Sequence, residues 1–328
     1  MSNMPAAIVT ALGEIRCEDA SIPEPEPGKV LLKSKLGSIC GTDLHIVYMG
    51  WNVYEYPLEP GHPGHEGIGE VIDGGGSEFQ PGDIVLTAPN IWSSKTFAEY
   101  QVLNPQYLLR LPKHTPEKHL LMAQQLGTVI FGCRRLPPLL GKTVAVIGQG
   151  SVGLFHDFML KRLGAHRIIA IEPLIDRLDA GKNLGVDDSI NLTGNDATQC
   201  LMDLTSGEGA DVVIEAVGSV ETLNQAIHMA KPFGRIALFG LPSTMDMVPF
   251  DWDSFFRKKL VAHSIFGAQD EYGLPAFQLA VDFITRGEID MEPFVNTRIP
   301  IQDIQYAFNL AKSPTDGVLK VSLTLIMK

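Results

Sequence analysis

The sequence has no run of 18 apolar residues, so no segment reads as a membrane-spanning helix. It does not begin with a basic stretch followed by an apolar core, which reads against a secretory signal. It has little cysteine: Cys17, Cys40, Cys133 and Cys200 are scattered and form no CxxC pair. That spacing excludes a disulfide framework and fits a reducing compartment, so a cytoplasmic location is expected. There is no basic excess. The formal net charge is −12, which speaks against nucleic acid or an anionic membrane as partner. Low-complexity tracts are absent too. What remains is an ordinary globular composition in 328 residues, enough for two domains with their own cores.

The pattern changes along the chain. Residues 1–121 carry short strand-like runs punctuated by Gly and Pro, among them Ala6–Thr10, Glu14–Glu18, Lys29–Leu36 and Gly67–Ile72. Such punctuation predicts a β-rich, barrel-like domain. Residues 122–286 alternate apolar runs with amphipathic segments long enough for crossover helices. The runs 143–147, 167–171, 187–191, 211–215 and 234–239 predict a doubly wound parallel sheet, with 260–266 as a sixth strand. Residues 287–328 return to a mixed pattern and are expected to rejoin the first domain. The fold class is therefore α/β, with a β-rich domain and a doubly wound parallel-sheet domain.

The apolar run Val144–Ile147 leads into Gly148, Gly150 and Gly153, and apolar residues then recur at helical spacing. Strand, glycine turn and helix together form the context in which GxGxxG signals a dinucleotide site. Gly148 permits the turn, Gly150 lets backbone approach a pyrophosphate, and Gly153 allows close helix packing. Ser151 and Val152 open the helix, whose free N–H groups would face the phosphates. The next predicted strand ends in Glu172, placed to accept hydrogen bonds from ribose hydroxyls and to repel a 2′-phosphate. NAD is thus expected over NADP, with Arg177 as a counter-signal. Later strand ends offer small residues where a flat cofactor could lie, at Val217 and at Gly240–Leu241, with Phe266 closing the sixth run.

Two clusters in the first domain carry metal-ligand types. One is Cys40-Gly41-Thr42-Asp43-Leu44-His45; the other is Gly64-His65-Glu66-Gly67. Thiolate, imidazole and carboxylate suit zinc, and a catalytic zinc needs three protein ligands and an open position. Cys40, His65 and Glu66 could supply them. Thr42 is two residues from Cys40, so an extended segment would put both on one side. Gly64 and Gly67 would ease the bend that lets adjacent His65 and Glu66 reach one ion. Trp51, Tyr54 and Trp92 are candidates for a substrate wall, and Cys133 and Cys200 for buried thiols.

On CGTDLH, GHEGIGEV, QPGDIV, FAEY, VIGQGSVG and DVVIEAVGS the chain resembles the zinc-containing medium-chain alcohol dehydrogenases, which include sorbitol and threonine dehydrogenases. The resemblance covers nearly the whole length. It implies a GroES-like catalytic domain built from both chain ends, around a Rossmann domain. It implies that Cys40 and His65 ligate a catalytic zinc, and that Glu66 ligates it or stands beside it. It implies that Thr42 passes the substrate proton on and that His45 ends that relay. The substrate would be a small alcohol or carbonyl, and the assembly a homodimer or homotetramer. Two features depart from the family pattern. The segment before FAEY holds no cysteine, so a second, structural zinc is not expected. Gln124 and Gln125 stand where a Cys or Glu often opens the crossing segment, which throws the third ligand onto Glu66. Two alternatives stay open: a zinc-free quinone or enoyl reductase of the same superfamily, and a nucleotide-binding sensor without activity.

Overall fold

Val- and Ile-rich runs form the strands, since branched side chains pack well on a pleated surface. The structure is a computed structural model and describes residues 3–314 and 317–326. Two compact units result: Met1–Thr128 with Gly267–Lys328, and Val129–Phe266.

In the first unit, β1 (Asn3–Ala11) and β2 (Glu14–Ser21) form an antiparallel hairpin. Next come β3 (Val30–Ser38), helix α1 (Gly41–Met49), β4 (Glu66–Asp73), β5 (Ile84–Thr87), β6 (Tyr100–Leu103) and β7 (Leu108–Arg110). Helices α2 (Glu117–Leu120) and α3 (Ala123–Cys133) lead out. The second unit holds β8 (Thr143–Ile147), α4 (Ser151–Arg162), β9 (Arg167–Ile171), α5 (Ile175–Lys182), β10 (Asp188–Ile190) and α6 (Gly194–Leu204). It continues with β11 (Ala210–Glu215), α7 (Val220–Met229), β12 (Ala230–Leu238), α8 (Trp252–Arg257) and β13 (Val261–Ser264). The chain then returns to the first unit with α9 (Pro275–Thr285), β14 (Thr297–Pro300), α10 (Ile304–Lys312) and β15 (Val321–Thr324).

The large sheet of the first unit runs β14-β15-β3-β4-β5-β7, with β6 also on β3. Its register sets up the site. Ser322 on β15 pairs with Ser38 on β3, and Ser38 pairs with Glu66 on β4. Cross-strand partners share a face, as do residues two apart along a strand. Lys320, two residues before Ser322, is thereby brought to the same side as Glu66.

The second unit is a six-stranded parallel sheet, ordered β10-β9-β8-β11-β12-β13. In chain order that is 3-2-1-4-5-6, the doubly wound arrangement. β8 and β9 keep the predicted bounds. Val144, Val146, Ile168 and Ile169 have no exposed surface, as a sheet covered on both faces requires.

The joins between units differ from the expected 121/122 and 286/287: they fall at 128/129 and 266/267. The reason is packing. Phe277 on α9 lies against Gly127 on α3, so closely that a methyl group on Gly127 would sit 2.5 Å from its ring. Lys118 and His119 bind Glu292 at 2.7 and 2.8 Å. The amphipathic pattern of α9 looks locally like one more crossover helix, but its partners belong to the first unit. Among the described residues, no helix is long and apolar enough to cross a membrane.

Candidate functional site

Cys40 caps the N-terminus of α1 in an extended conformation, and its N–H donates to Asp43 Oδ2 at 2.7 Å. An acid three residues into a helix commonly reaches back in this way. Thr42 therefore lies on a helical turn and not on an extended segment. The turn still brings it to Cys40: Oγ1 is 3.8 Å from Sγ. His45 follows three residues later on the same helix, so Thr42 and His45 share a face. Its Nδ1 is buried without a partner, and burial lowers the imidazole's pKa, favouring the neutral base.

His65 and Glu66 enter β4. Gly64 and Gly67, expected to ease a bend, serve close packing instead. Neither has a positive φ. A methyl group on Gly64 would lie 2.5 Å from Phe97 Cγ, and one on Gly67 would run into Thr96. One ligand atom each from Cys40, His65 and Glu66 falls within 4.8 Å of the others. Among the described residues this is the one such group of three or more. The donor set fits zinc by chemistry and by convergence.

The surroundings reinforce that fit. His65 Nδ1 lies 2.9 Å from Asp43 Oδ1, which leaves Nε2 as the ligating nitrogen. Burial opposes charge on His65, but Asp43 and Cys40 outweigh it and hold its pKa well above the ordinary value. Glu66 is 1% exposed and receives both Ser38 Oγ and Lys320 Nζ on Oε2, the latter at 2.7 Å. Burial alone would raise the Glu66 pKa; Lys320 and His65 outweigh it and hold it low. Burial likewise pulls Lys320 down, and Glu66 and Cys40 more than reverse it. Around the three ligands stand one further buried carboxylate, Asp43, and one buried ammonium, Lys320. Their charges cancel, so a dication with Cys40 and Glu66 remains neutral overall.

In the second unit the three glycines have separate duties. Gly148 adopts φ +92° and donates to the Ile171 carbonyl at 2.9 Å. Gly150 caps α4, and no atom lies within 4 Å of where its Cβ would be, leaving the approach open. A Cβ on Gly153 would strike the Gly148 carbonyl. The close approach it permits is thus to the loop itself. Ser151 and Val152 form the first turn of α4, which has no side-chain cap. Glu172 is 5% exposed and accepts the N–H groups of Gln149 at 2.8 Å and Leu174 at 3.1 Å. Arg177 Nη1 lies 3.9 Å from Glu172, which directs its charge toward that carboxylate. After β11, Glu215 Oε1 accepts the N–H groups of Val217 and Gly218 and the Thr222 hydroxyl, each at 2.8 Å. Gly218 and Gly240 pack so closely that neither has room for a side chain, and Leu241 closes the contact. Val217 and Phe266 are half-exposed at strand ends.

Other candidates separate from these groups. Cys133 is buried and its thiol pushed up to about 12, whereas Cys200, expected to be buried, is only partly so. Trp51 and Trp92 pack with ring centroids 5.1 Å apart, while Tyr54 stands clear in solvent. Gln124 and Gln125 are both buried. Sequence reasoning missed Ser38, Asp43 and Lys320 at the first site, and Gln149, Asp157 and Glu215 at the second. A lysine inside the apolar run VLKVSLTLI was the one visible signal for Lys320.

Comparison with known proteins agrees with the fold. Residues 26–113 match the alcohol dehydrogenase GroES-like domain, and residues 151–284 match the zinc-binding dehydrogenase family. The L-threonine 3-dehydrogenase of Pyrococcus furiosus is 29% identical, over 97% of this chain and 98% of its own. The sorbitol dehydrogenase of Bacillus subtilis is 27% identical, over 97% and 96%. The solved structure of alcohol dehydrogenase TADH from Thermus sp. ATN1 superposes with a TM-score of 0.85 at 25% identity, covering 98% of this chain and 100% of that one. Fold and donor set together define a zinc-binding dehydrogenase. The chain belongs to the zinc-containing medium-chain alcohol dehydrogenase family and is an oxidoreductase of that type. Zinc, a nicotinamide cofactor and a small-molecule substrate go with that membership.

Proposed function

We propose that the chain oxidises a secondary alcohol or polyol with NAD, or runs the reverse reduction. The observation that carries this is the convergence of Cys40, His65 and Glu66 within 4.8 Å. A zinc held by these residues would supply a Lewis acid for the alcohol oxygen, and NAD on the glycine loop would supply the hydride acceptor. Asp43 orients the His65 ring through Nδ1, and Lys320 with Ser38 fixes the Glu66 carboxylate. Thr42 Oγ1 would take the hydroxyl proton, and His45, kept neutral by burial, would accept it next. The roles divide by unit: the first holds substrate and metal, the second the dinucleotide, on Gly148, Gly150, Ser151, Val152, Gly153, Glu172, Val217, Gly240, Leu241 and Phe266.

NAD is expected over NADP because Glu172, a buried carboxylate after β9, would repel a 2′-phosphate, and Arg177 is turned toward that carboxylate. One zinc per chain is supported by the single such donor set among the described residues, and Gln124 and Gln125, as neutral amides, are poor zinc ligands. A reductase of quinones or activated alkenes uses neither a thiol–imidazole–carboxylate set nor a hydroxyl relay, so the convergence counts against it. A homodimer is supported by β13, an edge strand whose four residues are all exposed. Such an edge invites pairing with a second copy. Four free thiols suit a reducing compartment such as the cytoplasm.

A panel of secondary alcohols, polyols and their carbonyl partners, followed by NADH absorbance before and after zinc removal, tests the reading. Turnover that needs zinc is expected. Dinucleotide binding without turnover of any substrate would instead favour a sensor.

A further inference from the structure

Beneath the glycine loop lies a polar pair that the proposed chemistry does not use. Gln149, between Gly148 and Gly150, and Asp157, on α4, both have no exposed surface. Neither amide atom of Gln149 and neither carboxylate oxygen of Asp157 has a hydrogen-bond partner in the structure. Gly181 on α5 makes room for them. A methyl group there would lie 2.8 Å from Gln149 Oε1 and 3.4 Å from Asp157 Oδ2. Among the described residues no cation pairs with Asp157, and the nearby Gln149 amide is the one side chain that offsets its burial.

An isolated carboxylate cannot stay charged in such a place, because the cost of burying it exceeds that of protonating it. Burial accordingly raises the Asp157 pKa well above its ordinary value. The neutral acid has one O–H donor and a carbonyl, and the amide has N–H donors and a carbonyl. Two reciprocal bonds, acid O–H to amide oxygen and amide N–H to acid oxygen, then satisfy all four terminal atoms. An ionised carboxylate could make only the second.

We propose that Asp157, as the neutral acid, and Gln149 form a cyclic acid–amide pair that positions the glycine loop for the dinucleotide's phosphates. The loop is held from two sides. Glu172 takes the Gln149 backbone N–H at 2.8 Å, and Asp157 anchors its side chain. Gln149 is the residue between the turn glycine and the helix cap, so its anchoring sets where the first N–H groups of α4 point. Asp157 is thus a positioning residue. The proposal rests on the reading of the second unit as the dinucleotide site.

The test combines NAD affinity with infrared spectroscopy on the full chain. In the wild type at neutral pH we expect the carbonyl stretch of a protonated carboxylic acid, missing from Asp157→Asn. Asp157→Leu should weaken NAD binding by about tenfold, the order expected for a lost buried hydrogen-bond pair, with zinc content unchanged. Asp157→Asn keeps both reciprocal bonds and should bind NAD within about threefold of wild type, since a neutral pair is replaced by a neutral pair. The proposal is overturned if the band is absent, if Asp157→Asn binds as weakly as Asp157→Leu, or if Asp157→Leu binds as wild type does. Should Asp157→Leu fail to fold, the band and Asp157→Asn still decide. A wild type that binds no dinucleotide would sink the cofactor reading and with it the loop's role, while the band would still decide the pair.

Discussion

The two units bury polar groups in opposite ways. In the first, opposite charges gather: Asp43 accepts the Cys40 N–H and lies beside His65, and Lys320 holds Glu66. In the second, Glu172 and Glu215 cap backbone N–H groups, and Asp157 and Gln149 face each other without a cation. A network of opposite charges would suit the proposed metal site. Caps and a neutral pair would suit the loop proposed to present backbone N–H groups to phosphates. Burial alone therefore says little about function; the sign and pairing of what is buried says more.

The largest expected effect comes from breaking the charged network. Lys320→Met strands Glu66 with Ser38 as its remaining partner, and removal of one member of a buried pair costs about 3–5 kcal/mol. The metal-stripped variant should lose that much stability in denaturant melts. Zinc should restore a large part of it, because a dication ligated by Glu66 would offset the carboxylate's charge. An equal loss with and without zinc would detach Lys320 from the metal site. By contrast, Asp157→Asn in the second unit removes no charge and should cost far less.

Thr42→Ala comes next. It should leave zinc and NAD binding in place while slowing turnover roughly 100-fold, the scale of one proton-transfer group. Stopped-flow or steady-state rates across pH 6 to 9, set against metal content, check this; an unchanged rate removes Thr42 from the relay.

Smaller again is Glu172→Ser. On the proposed role it removes a charge that would repel a 2′-phosphate and frees Arg177, so the expected preference for NAD over NADP should narrow by about tenfold or more, the scale of a charge-assisted bond. The ratio of kcat/KM for the two cofactors measures it. A wild type that already prefers NADP contradicts the role given to Glu172.

Local chemistry was legible in the sequence wherever a function and its residues lie close together. The glycine loop and β8–β9 could be read because strand, turn and helix follow one another within one segment. The convergence of Cys40, His65 and Glu66 could be expected because few residue types suit zinc. Contacts made across the chain could not. Lys320 reaches Glu66 only through the register of β15 on β3 and of β3 on β4. Residues 267–286 carry the apolar spacing of a crossover helix, and contacts such as Phe277 against Gly127 show where they belong. Gly64 and Gly67 were assigned a bend because glycine is permissive. Their actual constraint, the nearness of Phe97 and Thr96, is a packing fact with no local signature.

The central claim is that one zinc per chain sits on Cys40, His65 and Glu66. Metal analysis of chelator-treated and reconstituted protein tests it most directly, using wild type, Glu66→Gln and Gln124→Ala. We predict about one zinc per chain in the wild type, weakened binding in Glu66→Gln and full retention in Gln124→Ala. Two zincs per chain, an active preparation holding none, or a Gln124→Ala protein that loses its metal while Glu66→Gln keeps it would contradict the account.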